Sequence, residues 1–194
     1  VTLEVLHRGN ARNPDVLLVQ IPGGRAVVKD FAPRGAFVRR VLGPLIHGRE
    51  IRAYRALEGS EAVPRFLGRI DGLAFAVEYR PGRRMSRKLA GQVPSAFLED
   101  LERVIRAMHE RGVAHLDLRH RSNVMVDGDG RPVLIDFASA VCFRPGSLAA
   151  RLILPRLAAV DLGALRKWRQ RLLDHSVAET TTSSAGERGA SRPM

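Results

Sequence analysis

The sequence is poor in cysteine, lysine and aromatic residues, and it contains no long apolar run. Cys142 is the one cysteine, so no disulfide can form within the chain. A reducing compartment, the cytoplasm, is the expected setting. No stretch approaches the roughly twenty apolar residues that span a bilayer, and none has the form of a secretory leader. The chain opens on Val1 rather than methionine, which leaves room for a segment before it.

Lysine is nearly absent: Lys29, Lys88 and Lys167 stand among 32 basic residues, and the other 29 are arginine. A bias of that size looks compositional, so basicity alone says little about function. Each remaining lysine says more. The net charge of +12 favours acidic partners, whether nucleotide, phosphorylated sugar or lipid, anionic membrane, or nucleic acid. An apolar content of 45% over 194 residues is enough for one compact unit with a sizeable core.

The most informative stretch is residues 112–140, GVAHLDLRHRSNVMVDGDGRPVLIDFASA. Two short apolar runs, residues 124–126 and 133–135, flank Asp127-Gly128-Asp129-Gly130, a strong hairpin signal. A hairpin brings its outer ends together, so Asn123 and Asp136 are expected side by side, with Asp117 on the loop just before. Paired oxygen donors of this kind suit Mg²⁺, which takes a few protein oxygens and shares the rest with phosphates.

The order His115-Leu116-Asp117, then Asn123, then Asp136-Phe137 resembles the protein kinase superfamily. Its catalytic loop reads H-R-D-x-x-x-x-N and its metal-binding Asp opens D-F-G. Here five residues rather than four separate Asp117 from Asn123, and Ala138 stands where the family has glycine. The pattern is most similar to the small bacterial lipopolysaccharide-core kinases and the RIO-like atypical kinases. The resemblance implies an α+β, two-lobed protein-kinase-like fold. A β-rich small lobe would occupy residues 1–80 and a mainly helical, truncated large lobe residues 81–175. Residues 176–194 have too little apolar content to pack and are expected as a disordered tail.

Strands are expected at residues 1–6, 16–21 and 25–31, the last two joined at Gly23-Gly24. Lys29, in Ala26-Val27-Val28-Lys29, matches the V-A-I-K lysine that in kinases pairs with the nucleotide phosphates. Glu50, on a helix expected over residues 43–57, matches the glutamate that orients that lysine, and is preferred to Glu58. Residues 64–68 read as a link, followed by a hairpin across Asp71-Gly72. The backbone of Glu78, Tyr79 and Arg80 then resembles a kinase hinge that binds adenine. A helix capped by Ser95 and ended by Gly112 carries an apolar stripe of Phe97, Leu98, Leu101, Val104, Ile105 and Met108, which is core. A last helix is expected over residues 155–173. Its Asp161 matches either the buried large-lobe Asp that anchors a kinase catalytic loop or an ordinary helical Asp. Residues 7–15 offer only Gly9 where kinases carry G-x-G-x-x-G, and no A-P-E follows Ala140.

The resemblance implies a kinase using ATP and Mg²⁺. Asp117 would orient the attacking hydroxyl and Arg119 would neutralise charge on the transferred group. Lys29, steadied by Glu50, would grip phosphate, while Asn123 and Asp136 would hold the metal. His115 is expected to be structural. The acceptor is expected to be an acidic sugar, a lipid-linked sugar or protein Ser/Thr, compatible with contact at the inner face of an anionic membrane. A nucleotide-binding pseudokinase is the main alternative, because of the poor glycine loop and Ala138. A nucleic-acid-binding domain ranks last, since the arginines are spread rather than clustered with stacking aromatics.

Overall fold

Alternating apolar side chains produce three N-terminal strands, β1 (Thr2–His7), β2 (Asp15–Ile21) and β3 (Gly24–Asp30). The computed structural model describes residues 1–86, 89, 92, 93 and 96–186, with the backbone alone at residues 121 and 171–186. Gly23, at φ 86°, supplies the positive dihedral that the tight β2–β3 turn demands. A π-helical turn, Val38–Leu42, leads into α1 (Gly43–Ala56), which buries Glu50, Ile51, Ala53 and Tyr54.

Two further strands, β4 (Phe66–Arg69) and β5 (Ala74–Glu78), complete an antiparallel sheet in the order β1-β2-β3-β5-β4. Residues 66–68 therefore belong to a strand, not to a link. Phe66 anchors it, 6.3 Å from the Phe75 ring and beneath the Arg55 guanidinium at 5.2 Å. Asp71 ties the β4–β5 turn by accepting the Leu73 and Ala74 N–H groups at 2.7 and 2.8 Å.

The second half begins with the two-residue strand β6 (Arg83–Arg84). Helix α2 (Phe97–Glu110) follows and buries Phe97, Leu101, Ile105 and Met108. Its expected cap, Ser95, lies outside the described residues. Gly112, at φ 79°, ends the helix where a Cβ would meet the Phe143 carbonyl oxygen at 2.4 Å. Short strands β7 (Val113–Ala114), β8 (Val124–Val126), β9 (Pro132–Leu134) and β10 (Val141–Cys142) come next. They pair as β6-β8-β9 and β7-β10.

The last helix, α3 (Leu148–Gly186), starts before residue 155 and carries Pro155 inside it. Ser147 is the start signal: its Oγ accepts the Ala150 N–H at 3.1 Å and its carbonyl accepts the Arg151 N–H at 3.0 Å. The helix continues to Gly186, so residues 176–186 of the expected tail are helical, and residues 187–194 lie outside the described residues. A nucleated helix adds residues at little cost, which is how a polar sequence can be carried along.

One apolar core runs through both halves, joining Tyr54, Phe75 and Val77 to Leu101, Phe137 and Trp168. Among the described residues no helix is long and apolar enough to cross a membrane.

Candidate active site

Lys29 lies on the central strand β3, opposite Val16 on β2 and Phe75 on β5, with its side chain turned into the core. Its Nζ is 2.5 Å from Glu50 Oε1 and 2.7 Å from Asp136 Oδ1. One ammonium thus joins β3, α1 and the segment after β9. Burial alone would lower its pKa, but the two carboxylates outweigh burial and hold it well above the usual lysine range. Burial pushes the Glu50 carboxyl up against the pull of Lys29. Asp136 is only half buried, and Lys29 carries its pKa below the ordinary value in spite of that burial. Asp136 also sits at φ 66°, a strained dihedral for a non-glycine residue.

The loop carrying Asp117 hangs from α3. Asp161 is fully buried, and its two oxygens accept the His115 N–H at 2.9 Å and the Leu116 N–H at 2.8 Å. Its Oδ2 is also 3.0 Å from His109 Nε2. Of the two readings of Asp161, the loop anchor is the one the geometry bears out. That anchorage holds Leu116 at φ 68°. The Trp168 indole N–H adds a bond to the Leu118 carbonyl at 3.1 Å. His115 packs on Phe137 at 4.7 Å, with Nδ1 accepting the Asp117 N–H at 3.4 Å and Nε2 lying 3.1 Å from the Ile135 carbonyl. The proton therefore sits on Nε2. Burial lowers the ring's pKa, so His115 is a neutral prop beneath the loop.

Asn123 is buried, and its amide donates to Asp117 twice, to the carbonyl at 3.0 Å and to Oδ2 at 2.9 Å. Its Oδ1 accepts the Ser122 hydroxyl at 3.0 Å. The loop ends in a 3₁₀ turn at Arg121–Asn123. The Ile135 N–H reaches the Asn123 carbonyl at 3.0 Å, so the hairpin register sets Asn123 opposite Ile135, one residue before Asp136.

The structure thus gathers Lys29, Glu50 and Asp136 into one cluster and Asp117 with Asn123 into another at the same hairpin. It does not bring Arg119 to either: that side chain is exposed and makes no ion pair among the described residues. Two of the three N–H groups in the expected adenine strip are taken by the chain itself. The Glu78 N–H donates to the Arg65 carbonyl at 2.8 Å and the Tyr79 N–H to the Arg25 carbonyl at 3.2 Å. That leaves the Arg80 N–H as the one of the three donors without a partner among the described residues.

Sequence reasoning missed a polar knot at the β1–β2 loop. Asp15 is buried, accepts the Gly9 N–H and Arg8 Nη1, both at 2.9 Å, and pairs with Arg34. Arg34 also donates to the Gly9 carbonyl at 3.1 Å. Within the loop, Asn10 Oδ1 accepts the Arg12 and Asn13 N–H groups at 2.9 and 3.1 Å. A Cβ on Gly9 would meet the Asn13 carbonyl oxygen at 2.1 Å, so glycine is required there by close backbone approach. The only signal in the sequence was an acid at the first residue of a strand.

Asn123 and Asp136 offer one amide and one carboxylate oxygen, a hard donor set. Among the described residues no group of three or more His, Cys, Asp or Glu could hold a metal. The pair therefore fits Mg²⁺ where phosphate oxygens complete the shell, and does not make a self-sufficient metal cage.

No protein-family model matches the chain, and no curated protein does. Solved structures do. The Rio2 kinase–ADP/Mg²⁺–phosphoaspartate complex from Chaetomium thermophilum is similar over 88% of this chain, with a TM-score of 0.59 at 20% identity. A second structure of the Rio2 kinase from the same organism gives the same values. The fold is protein-kinase-like. The chain spans 56% and 58% of those two kinases. The sheet order β1-β2-β3-β5-β4 with α1 against it is the β-rich part of this kinase-like fold, and α2, the β8–β9 hairpin and α3 are the other part.

Proposed function

We propose that the protein is an ATP-dependent phosphotransferase that moves the terminal phosphoryl group to a hydroxyl. The observation that carries the reading is the Lys29 ammonium held between Glu50 and Asp136. Phosphoryl transfer demands positioned charge more than covalent chemistry, and this arrangement supplies a fixed cation beside a metal-binding carboxylate. In this reading Asn123 and Asp136 would hold Mg²⁺, which neutralises phosphate charge when bound. Lys29 grips phosphate, Asp117 orients the attacking hydroxyl, and the Arg80 N–H meets the adenine edge. Arg119, exposed within the loop two residues after Asp117, would meet the transferred group once substrate is bound. The Rio2 structure described with ADP and Mg²⁺ supports the same cofactor pair.

The acceptor we favour is an acidic sugar or lipid-linked sugar, as in the lipopolysaccharide-core kinases, with protein Ser/Thr second. The short helical half and the net charge of +12 support an acidic small substrate.

One observation favours a second reading, a nucleotide-binding module without turnover. The β1–β2 loop spends the N–H groups of Gly9, Arg12 and Asn13 on Asp15 and Asn10, where an active kinase would aim such groups at phosphate.

A thermal-shift titration with ATP, with and without Mg²⁺, tests the site. Binding to the folded state alone must raise the melting temperature. A rise that requires Mg²⁺ and disappears in Asp136→Ala is expected. Asp117→Ala should keep that rise and lose turnover. A rise independent of metal would favour the second reading, and no response at saturating ATP would sink both.

A further inference from the structure

The outward side of the segment entering α1 has a composition that nucleotide chemistry does not use. Phe37, Val41 and Leu45 are 66%, 42% and 58% exposed, spaced by four through the π-helical turn and into the helix. Residues four apart lie one above another on a helix, so the three make a single stripe. Arg40, three residues after Phe37, and Arg49, four after Leu45, are exposed beside it and make no ion pair among the described residues. Residues 31–49 contain no Asp or Glu at all.

We propose that this face docks the protein on an anionic lipid membrane. Apolar side chains held out in water gain by entering the acyl boundary, and arginines beside them draw acidic headgroups. Each half alone would be ambiguous. A net charge of +12 attracts any polyanion, and an apolar stripe alone fits many protein grooves. Nucleic acid would engage the arginines yet leave the aliphatic Val41 and Leu45 in water. A basic rim around an apolar stripe, with every acid excluded from the segment, complements an acidic bilayer surface. The stripe occupies the exposed side of the helix that buries Glu50, so docking leaves the Lys29–Glu50 pair uncovered. The inference stands whether or not the phosphotransferase reading holds.

The test is co-sedimentation of the whole chain with vesicles of phosphatidylcholine, alone or mixed with phosphatidylglycerol, at physiological salt. Binding to the mixed vesicles and not to the neutral ones is expected. Arg40→Glu with Arg49→Glu should weaken it roughly twenty-fold or more, since each basic residue near such a surface contributes about five-fold. Phe37→Ser with Leu45→Ser should weaken it roughly ten-fold or more through lost apolar burial. Arg166→Glu with Lys167→Glu makes the same charge change at exposed positions of α3 and should matter far less. The indole introduced by Phe37→Trp should be quenched by brominated lipid, whereas Trp168 is buried and should not be.

Absence of binding to either vesicle overturns the proposal. So does binding that the Arg166/Lys167 pair weakens equally and the Phe37/Leu45 pair leaves unchanged, which would mean adsorption by net charge. An unquenched indole at position 37 overturns insertion. Self-association without lipid that the Phe37/Leu45 pair abolishes would assign the face to a second copy instead.

Discussion

His47 lies three residues before Glu50 on α1, between the edges of Phe31 and Phe75 at 5.0 and 4.8 Å, and its Nε2 has no partner among the described residues. Burial first, and Arg69 second, push its pKa down to about 4. Below pH of about 6.5 the unfolded chain takes up this proton while the folded protein refuses it until about 4. Stability must therefore fall as pH drops through that window, by up to about 3 kcal/mol from His47 alone. His115, lowered by burial as well, adds with the same sign. Asp136 acts with the same sign at lower pH. Its lowered pKa contributes stability above the ordinary carboxylate range, and this is lost only on further acidification. Urea unfolding at neutral and mildly acidic pH should show the loss, and His47→Phe should flatten it. An unchanged slope in that variant would assign the effect elsewhere. Lys29, Glu50, Asp117, Asn123 and Asp136 could all be picked out of the sequence because they follow one another in a known order. Asp15 and Arg34 could not. Their pairing spans 19 positions, and nothing about either residue type announces it.

The strands and the β8–β9 hairpin were legible because their periodicity and turn residues agree. The start of α3 was not. Pro155 reads as a first-turn proline, yet the Ser147 cap starts the helix before it, and the helix tolerates the one lost N–H. The π-helical turn before α1 has no sequence signal we can name. At the end of α2, however, the punctuation is strict. Gly112→Ala would force an alanine to φ 79° and press its Cβ against the Phe143 carbonyl oxygen. A loss of at least about 2 kcal/mol is expected, from the unfavourable dihedral together with the clash. Chemical denaturation measures it, and a loss below half that figure would show that the β7–β10 pair yields easily.

At the scale of the whole molecule, the two parts of the kinase-like fold share one core, with Tyr54 of α1 packed 5.1 Å from Phe137, which follows the β8–β9 hairpin. Unfolding should therefore be a single transition, with calorimetric and van't Hoff enthalpies equal. Two resolved transitions would mean that each half holds together alone. The shared Lys29 has a consequence for binding order as well. Asp136 already has a cation on its Oδ1, so a divalent ion arriving by itself must compete with the ammonium for that carboxylate. Nucleotide phosphates give the displaced ammonium somewhere to go. In the phosphotransferase we propose, metal and nucleotide would then be linked ligands, each raising the affinity for the other by the same factor. Calorimetric titration of Mg²⁺ should detect weak binding without nucleotide and stronger binding with it. Equal affinities would mean that the ammonium never had to move.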